Sequence, residues 1–408
     1  MKKLWPSYAK ASEGKQKTKL WGKGRLDPLV EAFETKDDLL LDQKLIKYDC
    51  LGSIAHAKML KKIGILSEAE LSKLEKGLTE ILALYQQGKF NLELGDEDMH
   101  TKIENFLTEK YGEVGQKIHT CRSRNDQVLT AVRLYCKEQL KNIRAELDIL
   151  VKSFDEFSKK YGAIKMPGYT HMQKAMPSSI EIWAGSFIES LQDDIAMLEN
   201  AAKINDQSPL GSAAGYGVSM KLDKQFTAKL LGFAKVQKNP LYCQNSKGKI
   251  EAYILSSLIE ILLTINKFAS DALFFTTSEF NFFKVSGSIT TGSSIMPQKK
   301  NLDLAELLRS KVHVVLGNYT QIISLSGNLI SGYNRDLQDG KKPLLESLEI
   351  VFNSVKVTNI LLNNLIPDKI ALEAALTQEV FATEKALKMV KKGMPFRKAY
   401  KIIVESDL

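Results

Sequence analysis

Cysteine is scarce in this sequence, and the four residues present, Cys50, Cys121, Cys136 and Cys243, form no Cys-x-x-Cys pair and adjoin no histidine cluster. That excludes a zinc module or a disulfide scaffold and points to a reducing, cytoplasmic setting with no bound metal. No run of about eighteen apolar residues occurs, so no membrane span is expected. The first twenty-five residues carry eight Lys or Arg without an apolar stretch and read as a basic tail rather than a secretion signal. Acidic residues are in deficit, 48 against 57 basic ones, a net charge of +9. The lysines are spread along the chain with no nucleic-acid motif, so anionic small molecules are the expected partners rather than nucleic acid.

Familiar glycine motifs are missing as well. Gly287 and Gly292 have the spacing of a phosphate-binding loop, but Ser293 stands where the lysine belongs. Gly211, Gly215 and Gly217 follow no strand and do not spell a dinucleotide fingerprint, so no cofactor is indicated. No Gly-x-Ser-x-Gly elbow is present, which argues against an acyl-serine hydrolase. Strand-like alternation is nearly absent.

What remains is helix. A chain of 408 residues with 44% hydrophobic residues can bury a large core in two or three domains. The expected fold is all-α, divided into an amino-terminal helical domain over 1–115, a central long-helix bundle over 116–366 and a small helical cap over 367–408. Leu71, Leu74, Leu78, Leu82 and Tyr85 form one apolar stripe of the first domain. The acids of 95–101 with His100 lack the convergent ligands of a divalent ion, and Thr101 with Glu104 has the spacing of a helix cap. From Arg122 to Tyr161 there is neither Gly nor Pro, which predicts a rod up to about 60 Å long at ~1.5 Å per residue. Such a rod needs a bundle or an oligomer to cover it. Further helices are expected from Ser178 and Glu181 to about Asn205, then over 248–280, 299–330 and 337–364.

Three polar islands interrupt the helices. The first, Ile118 to Val128, includes Ser123 and Asp126 as helix caps and leaves Arg124 and Asn125 at a positive helix end, where Arg offers a fork to a carboxylate. The second, Met166 to Pro177, presents His171 in a loop, a residue able to shuttle protons near neutral pH. The third, Thr290 to Asn301, joins four hydroxyl residues, Gly292 and Lys299 ahead of a helix expected to start at Pro297 or Asn301, an arrangement suited to an anion. Three loops at the ends of long helices do not readily meet within one chain, so sites shared between subunits are expected.

The run Gly292-Ser293-Ser294-Ile295-Met296-Pro297-Gln298-Lys299-Lys300-Asn301 resembles the signature loop of the fumarase, aspartase and argininosuccinate lyase superfamily, whose members eliminate fumarate from a substituted succinate. Arg122-Ser123-Arg124-Asn125-Asp126-Gln127 and the Leu20-Trp21-Gly22 opening are similar to the argininosuccinate lyases in particular. The resemblance covers about residues 20 to 400. It implies a homotetramer with a twenty-helix core, sites built from three subunits each, and reversible cleavage of argininosuccinate to arginine and fumarate without a cofactor, the last step of arginine synthesis.

By motif position, Ser293 resembles the base that takes the succinyl proton. His171 and Glu306 are similar to a His-Glu pair on the acid side. Lys299 and Asn301 would stabilise an aci-carboxylate, with Ser123, Arg124, Asn125 and Thr170 clamping carboxylates, and Tyr333, Gln338 and Lys341 holding the substrate's other end. Such charge build-up calls for fixed cations and aligned N–H groups.

Three departures stand out. Cys121 and Leu302 replace a usual glycine and a usual proline, and the Glu34 to Asp38 segment does not align cleanly with the family's amino-terminal substrate loop, so no site is named there. The carboxyl end is also earlier than in most relatives, so a reduced last domain is expected. The alternatives are a sister lyase acting on adenylosuccinate, aspartate or malate, and a silent scaffold of the lens-crystallin kind.

Overall fold

The computed structural model describes residues 27–93 and 95–405; the basic tail and the Leu20-Trp21-Gly22 opening lie outside the described residues. In chain order its main elements are α1 Pro28–Asp42, α2 Ile46–Lys62, α3 Glu68–Gln86, α4 Met99–Tyr111 and α5 Arg124–Tyr161. A hairpin of β1 Lys165–Thr170 and β2 Gln173–Ser179 follows, then α6 Ile180–Asn205 and α7 Lys249–Phe275. Next come β3 Thr291–Gly292, β4 Lys300–Asn301, α8 Asp303–Ser326 and α9 Lys341–Asn363, and finally α10 Lys369–Ala374, α11 Ala382–Lys391 and α12 Phe396–Glu405. The fold is all-α, its strands confined to two-stranded pieces.

The chain forms two compact units, one of Met1–Tyr135, Asp206–Lys247 and Asn328–Lys342, the other of Cys136–Asn205, Gly248–Gly327 and Pro343–Leu408. The consecutive stretches expected from sequence cut across this division. The described residues up to 115 fall in the first unit and those from 367 on in the second, and 116–366 is shared between them.

In the first unit the apolar stripe of α3 turns inward: Leu71, Leu74 and Leu78 are buried, with Leu82 and Tyr85 at its edge. Leu45, Ile46, Met59 and Leu60 join them, along with Met99 and Leu107 of α4. Helix α3 opens with a capping box, the Ser67 hydroxyl taking Glu70 N–H while the Glu70 carboxylate takes Ser67 N–H. Helix α4 is capped by Asp98, whose carboxylate accepts from Thr101 N–H at 2.7 Å, three residues earlier than the Thr101 cap that the spacing suggested. Asp caps as well as Thr does, and the shift brings Thr101 and Glu104 into the buried face.

The second unit is centred on aromatic rings. Phe154, Phe187, Phe268 and Trp183 form a cluster with centroids 5.1–5.9 Å apart, and Phe283 stacks on Phe275 at 5.7 Å. The Trp183 indole N–H finds Asp271 at 2.9 Å, which satisfies the one polar atom of that side chain. Helix α6 starts one residue after Ser179, which caps it through Ile182 N–H; Ser178 pairs with Met166 in the hairpin instead. The helical stretch Pro240–Phe275 has a mean hydropathy of 1.4 over its best window, long and apolar enough to cross a membrane by length and composition, contrary to the expectation drawn from unbroken runs. Serine and threonine interrupt a run without greatly lowering the mean. Of that window, 56% is buried, and Ile254, Leu258, Ile261, Leu262, Ile265 and Phe268 supply the inward face. Near the carboxyl end, Ala386, Ala399 and Ile403 make a small separate core.

Candidate functional site

The first island becomes the start of α5, a helix of 38 residues or about 57 Å at ~1.5 Å per residue. Its cap is reciprocal: Ser123 Oγ accepts from Asn125 N–H at 3.2 Å, and Asp126 Oδ1 accepts from Ser123 N–H at 3.0 Å. Arg124 is half-buried, and its Nη1 donates to Glu97 at 2.7 Å and Asp98 at 2.8 Å. Among the described residues its other edge has no protein partner, so a second carboxylate has donors to meet. Cys121, three residues ahead of Arg124, has φ 60°. A left-handed backbone at this point costs a non-glycine residue about 1–2 kcal/mol, which fits the glycine that the resemblance led one to expect here.

Tyr333, Gln338 and Lys341 lie in the same unit, against α1. Gln338 Nε2 donates to Glu34 O at 2.9 Å and Arg335 pairs with the Glu34 carboxylate at 3.3 Å. Lys341 is buried and donates to both Asp42, at 2.6 Å, and Asp38, at 2.8 Å. Burial alone would lower its pKa, but Asp42 and Asp38 outweigh that and hold the ammonium above its ordinary range. Lys341 is therefore an ion-paired strut, and the polar groups beside it are exposed Tyr333 and half-buried Gln338. Burial raises the Tyr333 phenol, with Arg335, Asp38, Lys341 and Arg124 near enough to act on it.

Sequence reading left this α1 segment without a site. Glu34, Asp38 and Asp42 recur every fourth residue, on one helix face, and that spacing was the available signal. His100 is also buried, with Nδ1 2.9 Å from Asp49 Oδ1. Among the described residues no group of three or more His, Cys, Asp or Glu side chains is arranged to hold a metal.

The remaining expected residues belong to the second unit. His171 and Met172 are the two turn residues of the β1–β2 hairpin, with Thr170 paired to Gln173 beneath them. Their φ angles are 53° and 60°, the mirror-image turn that two-residue hairpins favour but that Asn and Gly adopt with less strain. The turn lifts an exposed imidazole clear of the core. Tyr169 anchors it, edge-on to Phe274 and Phe280 at 5.6 and 6.2 Å.

The third island is also a hairpin loop, because Thr291–Gly292 pairs with Lys300–Asn301. The helix expected at Pro297 or Asn301 starts at Asp303, since residues 300 and 301 are used in the ladder. Leu302, in the place of the usual proline, is its amino-terminal cap residue at φ −102°, well away from the angle a proline ring would impose. Thr291 Oγ1 donates to Asp303 at 2.5 Å and closes the base of the loop. Ser293 Oγ accepts from Ile295 N–H at 3.3 Å and Met296 N–H at 3.1 Å.

Two N–H dipoles converging on one hydroxyl oxygen favour its anion. Lys299 is exposed in the same loop, with Asn301 half-buried at its base. His171 and Glu306 make no side-chain hydrogen bond or ion pair among the described residues, so their expected pairing is absent within one chain.

Residues 23–317 match the family model described as "Lyase". An argininosuccinate lyase from Thermotoga neapolitana is 48% identical over 388 residues, 95% of this chain and 98% of the relative. One from Bacteroides fragilis is 40% identical over 384 residues, 94% of this chain and 86% of the relative. A crystal structure of EDDS lyase in complex with formate superposes with a TM-score of 0.81 at 21% identity, covering 94% of this chain and 76% of that one. At that identity the likeness is one of fold.

Proposed function

This chain belongs to the argininosuccinate lyases of the fumarase and aspartase superfamily, and we propose that it reversibly cleaves argininosuccinate to arginine and fumarate. The observation that carries the substrate assignment is 48% identity along almost the full length of both chains. The proposed reaction starts at Ser293, whose oxygen takes a proton from the succinyl carbon beside a carboxylate. The electron pair forms an aci-carboxylate, then the carbon–carbon double bond of fumarate as the carbon–nitrogen bond breaks. His171 supplies the proton that the departing guanidine nitrogen takes up.

Backbone donors support the first step. The Ile295 and Met296 N–H groups stabilise the serine anion, and Lys299 and Asn301 offset the charge gathering on the carboxylate. Ser123, Arg124, Asn125 and Thr170 hold the succinyl carboxylates, and Tyr333 and Gln338 meet the amino-acid end over the Lys341–Asp38–Asp42 strut. The proposed assembly is a homotetramer in which each site draws on three chains, which would give His171 the Glu306 partner it lacks within its own chain. Four free cysteines suit a reducing cytoplasm.

Incubating the purified protein with argininosuccinate should release fumarate and arginine in equal amounts. Release from adenylosuccinate, aspartate or malate instead would assign a sister activity, and no release from any of them would leave a silent scaffold.

A further inference from the structure

Asp126 is fully buried, yet no step of the chemistry above uses it. Its Oδ1 caps Ser123 N–H, and its Oδ2 accepts from Gly211 N–H at 3.0 Å and Ala213 N–H at 2.9 Å. One carboxylate thus ties the Ser123-Arg124-Asn125 segment to the small-residue turn of 209–217, for which the sequence suggested no role. Strained backbone lies within the turn, φ 52° at Ala213, and two residues ahead of Ser123, φ 60° at Cys121. Strain of this kind persists only where the surroundings over-determine it.

The turn has little freedom of its own. A Cβ on Gly215 would stand 2.8 Å from Gln244 Cγ, and one on Gly211 would stand 3.1 Å from the Lys224 side chain. Beside the clasp, buried Arg122 donates to Ser53 Oγ at 2.8 Å. Its charge acts on Asp126, where burial raises the carboxyl pKa and the three N–H groups and Arg122 oppose it.

We propose that Asp126 is a positioning residue, holding Ser123, Arg124 and Asn125 at the spacing that receives a dicarboxylate by locking them to the 211–213 backbone. Glycine and alanine suit the turn because what it contributes is two N–H groups and close packing. The inference rests on the reading of these three residues as a carboxylate clamp. An Asp126→Asn side chain has the same size but must turn its amide N–H toward either Ser123 N–H or the Gly211 and Ala213 pair, so one side of the clasp opens.

The test is calorimetric titration of wild type and D126N with succinate, an unreactive dicarboxylate, and separately with arginine. Succinate should bind D126N about tenfold more weakly, the scale of one charge-assisted hydrogen bond, while arginine affinity stays within about twofold. Gly211→Ala, strained at φ 91°, should show a smaller loss of the same selective kind and serves if D126N fails to fold.

Unchanged succinate affinity, equal weakening of both ligands, or a wild type that binds no succinate would each overturn the proposal. A lowered melting temperature with unaltered affinities would reduce Asp126 to a structural buttress and overturn it too. Argininosuccinate cleavage by the wild type is scored independently, so failure of the substrate assignment is distinguishable from failure of the clasp.

Discussion

Replacing Ser293 by alanine removes one oxygen from a half-exposed loop and leaves the rest of the pocket's charge in place. If that oxygen is the base, the structure sets the scale of the loss. Two N–H groups, at 3.1 and 3.3 Å, each contribute about 1.5–3 kcal/mol to a charged acceptor, or about 3–6 kcal/mol together. A positioned general base accounts for about 10²–10⁴ in rate, about 2.7–5.4 kcal/mol at 1.36 kcal/mol per decade. At 1.36 kcal/mol per unit the two donors lower the hydroxyl's pKa by about 2–4 units, a part of what an alkoxide needs, and the rest falls to the cationic surroundings of the bound state.

Ser293→Ala should therefore lower kcat by about 10²–10⁴ with KM nearly unchanged, the pattern of an interaction made only in the transition state. Stability should move by no more than about 0.5 kcal/mol, as for other surface loop substitutions. The assay is steady-state release of fumarate, followed by its ultraviolet absorbance, with a thermal melt as control. A kcat within about threefold of wild type is well short of the range for a positioned base and would remove Ser293 from that role. A large rise in KM at unchanged kcat would make it a binding residue instead.

Other consequences are open to measurement. Lys341→Met leaves the Asp38 and Asp42 carboxylates facing each other without their shared cation, so the denaturant midpoint should fall by an amount equivalent to about 3–5 kcal/mol, and a loss under about 1 kcal/mol would show the strut to be dispensable. His100 is buried, which lowers its pKa, but Asp49, Asp98 and Asp42 outweigh that and raise it above its ordinary value. A histidine raised on folding contributes stability that is complete below about pH 6.5 and lost as pH climbs through the folded pKa. The stability gap between wild type and His100→Gln should accordingly be widest on the acid side of neutrality and narrow as pH rises; a gap that widened would contradict the ion pairing. Cys121→Gly, by relieving a left-handed φ at some cost in unfolded-state entropy, should stabilise the protein by up to about 1 kcal/mol in urea unfolding, and a net loss would mean that the side chain's contact with Met220 matters more than the strain.

Helical periodicity and the unbroken run after Arg122 were enough to read an all-α chain and its longest rod, because amphipathic spacing and the absence of Gly and Pro act locally. The three polar islands were legible for the same reason, each being a dense departure from that periodicity. Sequence alone also exposed Cys121 and Leu302 as departures, but not the backbone each occupies, φ 60° and −102°, since those angles are imposed by the path of the chain around them.

Only the tertiary structure decided that the loops carrying His171 and Ser293 are hairpins closed by paired strands, because strand pairing depends on partners several residues away. It likewise set Lys341 in a buried pairing with Asp38 and Asp42, gave α1 contacts through Glu34, Asp38 and Asp42, and joined Asp126 to a turn 85 residues on. Those contacts are long-range, and their strength comes from burial, which no local spacing in a sequence reports.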